Sequence, residues 1–169
     1  MSSAHLMALS SLENGEQELL QRARAAMSRA YNPYSGFYVG AAVRTASGGT
    51  FAGAAVENAS FGLTICAEPA AILRAYAEGD VDIRAIAVVG GPSPESAGEI
   101  VTPCGRCRQM IYEAGQVSGT DIAVLCSNAD LSRVMKIRIS DLLPFPFGPA
   151  DLNLREKIDE FAARAKGER

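Results

Sequence analysis

Three cysteines and a glutamate are spaced so that they can form a catalytic metal site. Glu68 follows Cys66 by two positions, and Cys104, in the segment Pro103-Cys104-Gly105-Arg106-Cys107, comes 38 positions after Cys66. Cysteine thiolates are preferred ligands of zinc, and the C-x-x-C spacing lets two sulfurs on one helical turn reach the same ion. The sequence therefore predicts a metal centre whose ligands are Cys66, Cys104 and Cys107.

Three protein ligands leave the fourth corner of a tetrahedral zinc site open for water, which is the arrangement of catalytic sites. Zinc makes its water acidic, and a carboxylate beside it can accept the proton and pass it on. Glu68 is the predicted proton carrier because it stands two residues after a ligand. A ligand, a glutamate two positions later and a P-C-x-x-C segment form a pattern similar to that of zinc deaminases acting on nucleobases.

Other interpretations of the cysteines stay open at this point. A lone C-x-x-C is also typical of redox pairs and structural zinc sites. The only histidine, His5, lies in a segment predicted to be mobile, so a zinc site must be all-sulfur. Cys126 ends an apolar stretch and is expected to be a small buried side chain, but as a fourth ligand it would close the site. The chain would then be a structural zinc module or a nucleic-acid-binding protein.

The elements that must position these residues can be predicted from residue patterns. Helices are predicted at 67–78, closed by Gly79, and at 104–113, closed by Gly115, so both cysteine motifs stand at helix starts. A helix N-terminus lowers the pKa of a nearby thiol and favours the thiolate that binds zinc. The other predicted elements are a helix carrying the apolar stripe of residues 19–30, a hairpin of strands 37–46 and 50–56, strands at 83–89, 122–125 and 133–139, and a helix at 154–165.

Strands alternating with helices after an opening hairpin predict an α/β fold. The 169 residues, of which 48% are hydrophobic, can bury one sizeable core. The predicted organisation is a mobile leader at 1–14, one domain at 15–152 and a helical extension at 153–169.

Charge and targeting signals narrow the range of partners. The formal net charge of −3 is not that of a protein that binds nucleic acid or an acidic membrane surface, so a small-molecule partner is expected. The N-terminal residues do not form a secretion signal or a membrane span, which predicts a cytoplasmic protein. Thiols stay reduced there, and the four cysteines are therefore expected to serve as metal ligands before disulfides.

Four longer segments surround these motifs: residues 30–42 (AYNPYSGFYVGAA), 56–63 (VENASFGL), 102–109 (TPCGRCRQ) and 142–149 (LLPFPFGP). With them the chain resembles, from about Ala30 to Leu152, the homotetrameric cytidine deaminase family. The resemblance implies a three-layer α/β/α fold with a five-stranded mixed sheet, one zinc ion per chain, and active sites completed by neighbouring subunits.

The same resemblance implies hydrolytic deamination of cytidine and deoxycytidine to uridine and deoxyuridine, with release of ammonia, in pyrimidine salvage. Glu68 would protonate N3 of the base and then help the amine to leave. Phe37 would pack against the pyrimidine, Glu57 would accept a hydrogen bond from the ribose hydroxyl, and Phe147 would stack on a base held by another subunit. Ala67 and Thr102 complete the expected substrate-binding residues.

Two positions depart from the family pattern. Ala55 stands where the family usually has an asparagine, so a sugar partner is missing and another cytosine compound, such as blasticidin S, is the alternative substrate. Pro69 stands where many members have an arginine that hydrogen-bonds the zinc thiolates. Arg106 or Arg108 is expected to provide this positive charge instead, because three thiolates leave the zinc site formally negative.

Overall fold

The computed structural model describes residues 5–165 and Gly167. Within these residues the chain forms six strands, five α-helices and three short 3-10 helices, the latter at Leu9–Ser11, Phe61–Leu63 and Pro149–Leu152. The strands and α-helices are β1 (His5–Met7), α1 (Asn14–Met27), β2 (Tyr38–Thr45), β3 (Thr50–Ala54), α2 (Ala67–Ala77), β4 (Ile83–Gly91), α3 (Gly105–Ser118), β5 (Ala123–Asn128), β6 (Val134–Arg138), α4 (Ile139–Leu142) and α5 (Arg155–Ala165).

The strands form one mixed sheet in the order β1-β6-β5-β4-β2-β3. Only β4 and β5 are parallel, and the other neighbours are antiparallel. The sheet has six strands instead of the expected five. The additional strand is β1, which pairs with β6 at the edge of the sheet, with Leu6 opposite Met135. The described part of the leader expected at residues 1–14 therefore contains a strand. Three residues held by backbone pairing are too few for an alternating pattern to reveal them.

Helices cover both faces of the sheet, which confirms the predicted three-layer α/β/α arrangement. Ala85, Ala87 and Val89 of β4 pack in one core with α1. Ile86 and Val88 of the same strand pack in a second core with α2 and α3. The central strand is thus apolar on both faces, which explains the uninterrupted apolar run at 85–89, after the exposed Arg84.

Most predicted helices are confirmed, but the end of α3 is not where the sequence indicated. α3 continues past Gly115 and ends at Ser118, and its C-cap residue Gly119 has the left-handed φ of 63°. Gly115 is required for another reason, since a Cβ there would lie 2.7 Å from the carbonyl oxygen of Thr120. A glycine needed for close approach and a glycine that ends a helix look the same in a sequence.

The fold brings the two cysteine motifs to the same place. α2 and α3 lie on the same face of the sheet and pack against one another, with Ala71 and Ile111 in a common core. α5 packs on α3, through Ala162 and Val117. None of the helices in residues 5–165 is long and apolar enough to cross a membrane.

Candidate metal centre and active site

Three cysteine sulfurs meet where α2 and α3 begin. Cys66 is the N-cap residue of α2, Cys104 is the N-cap residue of α3, and Cys107 lies in the first turn of α3. The three sulfur atoms all lie within 4.8 Å of one another, and those of Cys104 and Cys107 are 3.5 Å apart. The structure therefore brings together the three ligands predicted from the sequence.

Cys126 lies outside this group. It is a fully buried residue of β5 and packs in the core between the sheet and the α2–α3 layer. Burial raises the pKa of its thiol to about 12, so it stays protonated. The expectation of a small buried side chain agrees with this position, and the alternative in which Cys126 completes the coordination sphere receives no support.

The sulfur cluster is electrostatically prepared for a cation. Hydrogen bonding with Cys107 lowers the pKa of Cys66 to about 6, whereas the same contact and burial raise the pKa of Cys107. The cluster accommodates one thiolate readily, and a bound cation is needed before Cys107 also ionises. A set of three sulfur donors fits zinc, which prefers thiolates, better than magnesium or calcium, which prefer oxygen.

Glu68 lies next to the cluster, as the second residue of α2. Its side chain is only 3% exposed, although it carries a carboxyl group and makes no ion pair among the described residues. Burial raises the pKa of this carboxyl group, against the opposing effect of hydrogen bonds from its own backbone N–H and from Cys107. A carboxyl group of this kind exchanges protons close to neutral pH more readily than an exposed one.

A cavity of about 260 Å³ opens beside Glu68 and the sulfurs. Cys66 and Cys104 reach its wall, and four of the five predicted substrate-binding residues line it as well: Phe37, Glu57, Ala67 and Thr102. Phe147 lies outside the cavity and is largely exposed, on the segment after α4, where its carbonyl oxygen accepts a hydrogen bond from Gln109.

The cavity also contains two hydroxyl residues that the sequence reasoning did not single out, Ser35 and Thr64. Ser35 belongs to the Tyr34-Ser35-Gly36 turn just before Phe37, and Thr64 stands two positions before Cys66. Both residues are close in sequence to predicted site residues, and this closeness could have identified them as candidates.

Glu57 is held in place by the turn that precedes Phe37. Its Oε2 atom accepts hydrogen bonds from the backbone N–H groups of Tyr34, at 2.8 Å, and Ser35, at 3.3 Å. A side-chain hydrogen bond from Ser35, together with the Tyr34 N–H, lowers the pKa of Glu57. Glu57 therefore presents an ionised carboxylate, which can only accept hydrogen bonds.

The two arginines expected near the sulfurs occupy different positions. Arg106 donates to the carbonyl oxygen of Thr64 at 3.4 Å, and its charge contributes to lowering the pKa of Cys66. Arg108 donates to the carbonyl oxygens of Pro103, at 2.8 Å, and Leu142, at 3.1 Å. Arg106 thus favours the thiolate through its charge, whereas Arg108 anchors the segment that leads into Cys104.

Residues 13–120 match the family described as cytidine and deoxycytidylate deaminase zinc-binding region. The chain belongs to this deaminase family. The matched residues run from the residue before α1 to just beyond α3 and include the three cysteines, Glu68 and the whole cavity wall. The zinc-binding family region and the sulfur cluster together fit one zinc ion per chain.

Several known proteins align with most of this chain. A cytidine deaminase from Halalkalibacterium halodurans is 42% identical over 137 residues, which are 81% of this chain and 97% of the relative. A cytidine deaminase from Mycobacterium tuberculosis is 39% identical over 130 residues, which are 77% of this chain and 87% of the relative. The crystal structure of a Burkholderia pseudomallei cytidine deaminase superposes with a TM-score of 0.67 at 39% identity, over 80% of this chain and 100% of the other.

Proposed function

We propose that this chain is a hydrolytic deaminase that converts cytidine and deoxycytidine into uridine and deoxyuridine and releases ammonia. The observation that carries this proposal is the burial of Glu68 beside three clustered thiols, in a cavity that also holds Phe37 and Glu57. A structural zinc site would have no use for a buried acid at the metal. The names of the relatives, which are cytidine deaminases, support the same activity.

Cys66, Cys104 and Cys107 would hold the zinc ion, which when bound supplies a water molecule acidic enough to act as a nucleophile near neutral pH. Glu68 would accept a proton from the attacking water and deliver it to N3 of the cytosine ring as the C4–O bond forms. Glu68 would next move the remaining hydroxyl proton from the oxygen on C4 to the 4-amino group, so that the C4–N bond breaks, the C4=O bond forms and ammonia leaves. One water is consumed, one ammonia leaves, and Glu68 ends in its starting state.

The cavity wall supplies the groups that orient the substrate. Phe37 packs against the pyrimidine face, and the Glu57 carboxylate accepts a hydrogen bond from a ribose hydroxyl. Ala67 and Thr102 line the same cavity and would complete the pocket around the base. Because the reacting atoms must stay within contact distance of Glu68, this orientation contributes directly to the rate.

The test of this function is a comparison of three cytosine compounds with the zinc-loaded protein. Cytidine, blasticidin S and free cytosine are each incubated with the protein, and the loss of cytosine absorbance and the release of ammonia are measured. We expect the highest kcat/KM with cytidine. The methyl side chain of Ala55 on the cavity wall favours blasticidin S as the second candidate, so preferential turnover of blasticidin S would replace cytidine as the substrate.

An Ala55→Asn substitution should improve recognition of the sugar. Ala55 lines the cavity, and its methyl group cannot form a hydrogen bond. An asparagine there would add one hydrogen bond to the ribose, so we expect KM for cytidine to fall about fivefold. Free cytosine has no sugar and should show no gain.

Ala77→Asn is the matched control, because it makes the same substitution at an exposed position at the end of α2. It should leave KM for cytidine unchanged. If Ala55→Asn raised KM for cytidine and free cytosine equally, Ala55 would lie against the base and not the sugar.

We also infer three properties that extend the proposed function. The protein acts in the cytoplasm in pyrimidine salvage, where its cysteines stay reduced, and all four are unpaired. It forms a homotetramer, in which Phe147 stacks on a base held by a neighbouring subunit. Residues 15–152 form the catalytic domain, and the chain after residue 152 is an extension whose helix α5 packs on α3. Sedimentation of the purified protein tests the subunit number.

A further inference from the structure

One wall of the substrate cavity belongs to a long irregular segment, residues 92–103, which connects β4 to α3. Val101 and Thr102 of this segment line the cavity, and the zinc ligand Cys104 follows it directly. The segment contains no helix or strand, so regular backbone hydrogen bonding does not define its position. Its contacts with neighbouring elements therefore decide where this part of the cavity wall lies.

In the described part of the chain, three polar contacts attach the middle of this segment to residues 127–133, at the end of β5 and just beyond it. They are a hydrogen bond from Asn128 Nδ2 to the Gly98 carbonyl oxygen (3.2 Å), one from the Val101 N–H to the Ser127 carbonyl oxygen (3.4 Å), and an ion pair between Arg133 and Glu99 (2.8 Å). The ion pair is solvent-exposed on both sides, and such pairs contribute little. The Val101 hydrogen bond is longer than usual. Asn128 is only 1% exposed, so its contact is the buried anchor of the segment.

The Asn128 side chain is itself held in one orientation. Its Oδ1 atom accepts a hydrogen bond from the backbone N–H of Arg133, at 3.0 Å, and its Nδ2 atom also donates to the Ser132 hydroxyl, at 2.9 Å. Both amide hydrogens and the carbonyl oxygen are therefore used. A buried amide that is fully hydrogen-bonded is a rigid support, so the position of the Gly98 carbonyl group is well defined.

We propose that Asn128 is a positioning residue for the deamination reaction, which holds residues 98–102 against the end of β5 and so places the cavity wall beside the base. This inference rests on the proposed function for the presence of the base in the cavity. Asn128 does not line the cavity, so it acts through the segment. The wall lies between this anchor and the hydrogen bond of Arg108 with the Pro103 carbonyl oxygen, which attaches its other end. A displacement of the wall by about 1 Å would misorient the base and slow the reaction.

Asn128→Asp tests this role with almost no change in shape. The carboxylate keeps an acceptor oxygen for the Arg133 N–H but places a second oxygen against the Gly98 carbonyl oxygen, in place of the N–H donor. We expect kcat for cytidine, calculated per bound zinc ion, to fall about tenfold, as the loss of one buried hydrogen bond predicts. A merely structural role would reduce the folded fraction and the zinc content together, and kcat per zinc ion would not change.

Hydrogen–deuterium exchange measures whether the change is confined to the segment. In Asn128→Asp we expect the backbone amides of residues 99–102 to exchange about tenfold faster than in the wild type, while those of β2 and α2 keep their rates. Faster exchange throughout the chain would overturn the proposal, because it would indicate general destabilisation. If Asn128→Asp does not fold, Asn128→Ser provides the same test, since its side chain is uncharged and too short to reach Gly98.

Ser132→Ala is the matched control. It removes the other hydrogen bond that Asn128 Nδ2 donates and leaves the one to Gly98 in place. Its kcat per zinc ion and its exchange at residues 99–102 should therefore equal those of the wild type. An equal loss of kcat in Ser132→Ala would assign the effect to the loop after β5 and overturn the proposal. A kcat per zinc ion within twofold of the wild type in Asn128→Asp would overturn it too.

The two measurements separate the role of Asn128 from the proposed function. Exchange can be followed whether or not cytidine is deaminated. If the wild type and Asn128→Asp turn over cytidine equally well, the positioning role is wrong and the function stands. If the wild type turns over no cytidine, the function is wrong. Faster exchange confined to residues 99–102 in Asn128→Asp would then still support the anchor, and unchanged exchange there would overturn it.

Discussion

Replacing Glu68 with glutamine is expected to lower kcat for cytidine by about three orders of magnitude, which lies within the usual contribution of a general acid–base residue. Glutamine has nearly the same shape as glutamate but cannot accept a proton from water or deliver one to N3. Its amide fits the same buried position at the start of α2, so the fold and the sulfur cluster should be unaffected. Zinc content, measured by atomic absorption, should stay at one ion per chain.

The matched control for this variant is Glu78→Gln, at the other end of the same helix. Glu78 is the exposed C-cap residue of α2 and lies outside the cavity, so its kcat should equal that of the wild type. A Glu68→Gln protein that retains zinc and turns over cytidine within tenfold of the wild type would remove Glu68 from the mechanism.

Replacing Cys107 with serine is expected to remove both zinc and turnover. Cys107 is fully buried, and its sulfur lies within 4.8 Å of the other two. A serine hydroxyl does not ionise near neutral pH and is a poor zinc ligand, so only two sulfur ligands would remain. After dialysis against zinc-free buffer, the zinc content should fall from one ion per chain to a small fraction of that value, and activity should fall in parallel.

Cys126→Ala is the control that distinguishes a ligand from a buried cysteine. It removes a sulfur from the core face of β5, so we expect a loss of roughly 1 kcal/mol in the free energy of unfolding, typical of a single truncation. Zinc content and kcat should be those of the wild type. Zinc loss in Cys126→Ala together with retention in Cys107→Ser would reverse the assignment and favour a different ligand set.

Local sequence patterns predicted much of the metal centre because the chemistry itself is local. Glu68 follows Cys66 by two residues at the start of a helix, and Cys104 and Cys107 share one helical turn, so each half of the site is defined within a few positions. The same holds for the apolar stripe of α1 and for the β2–β3 hairpin, where periodicity and turn glycines depend only on neighbours. The family resemblance added the roles of Phe37 and Glu57, which their residue types alone would not suggest.

The features that only the tertiary structure decided depend on contacts between distant parts of the chain. The packing of α2 against α3 brings Cys66 within reach of a pair 38 residues away, and the burial of Cys126 in β5 removes it from that group. Pairing of β1 with β6 and the presence of Ser35 and Thr64 on the cavity wall have the same origin. Helical and strand periodicity record which face of an element is buried, but not which other element covers it. Those contacts follow from the packing of the whole chain.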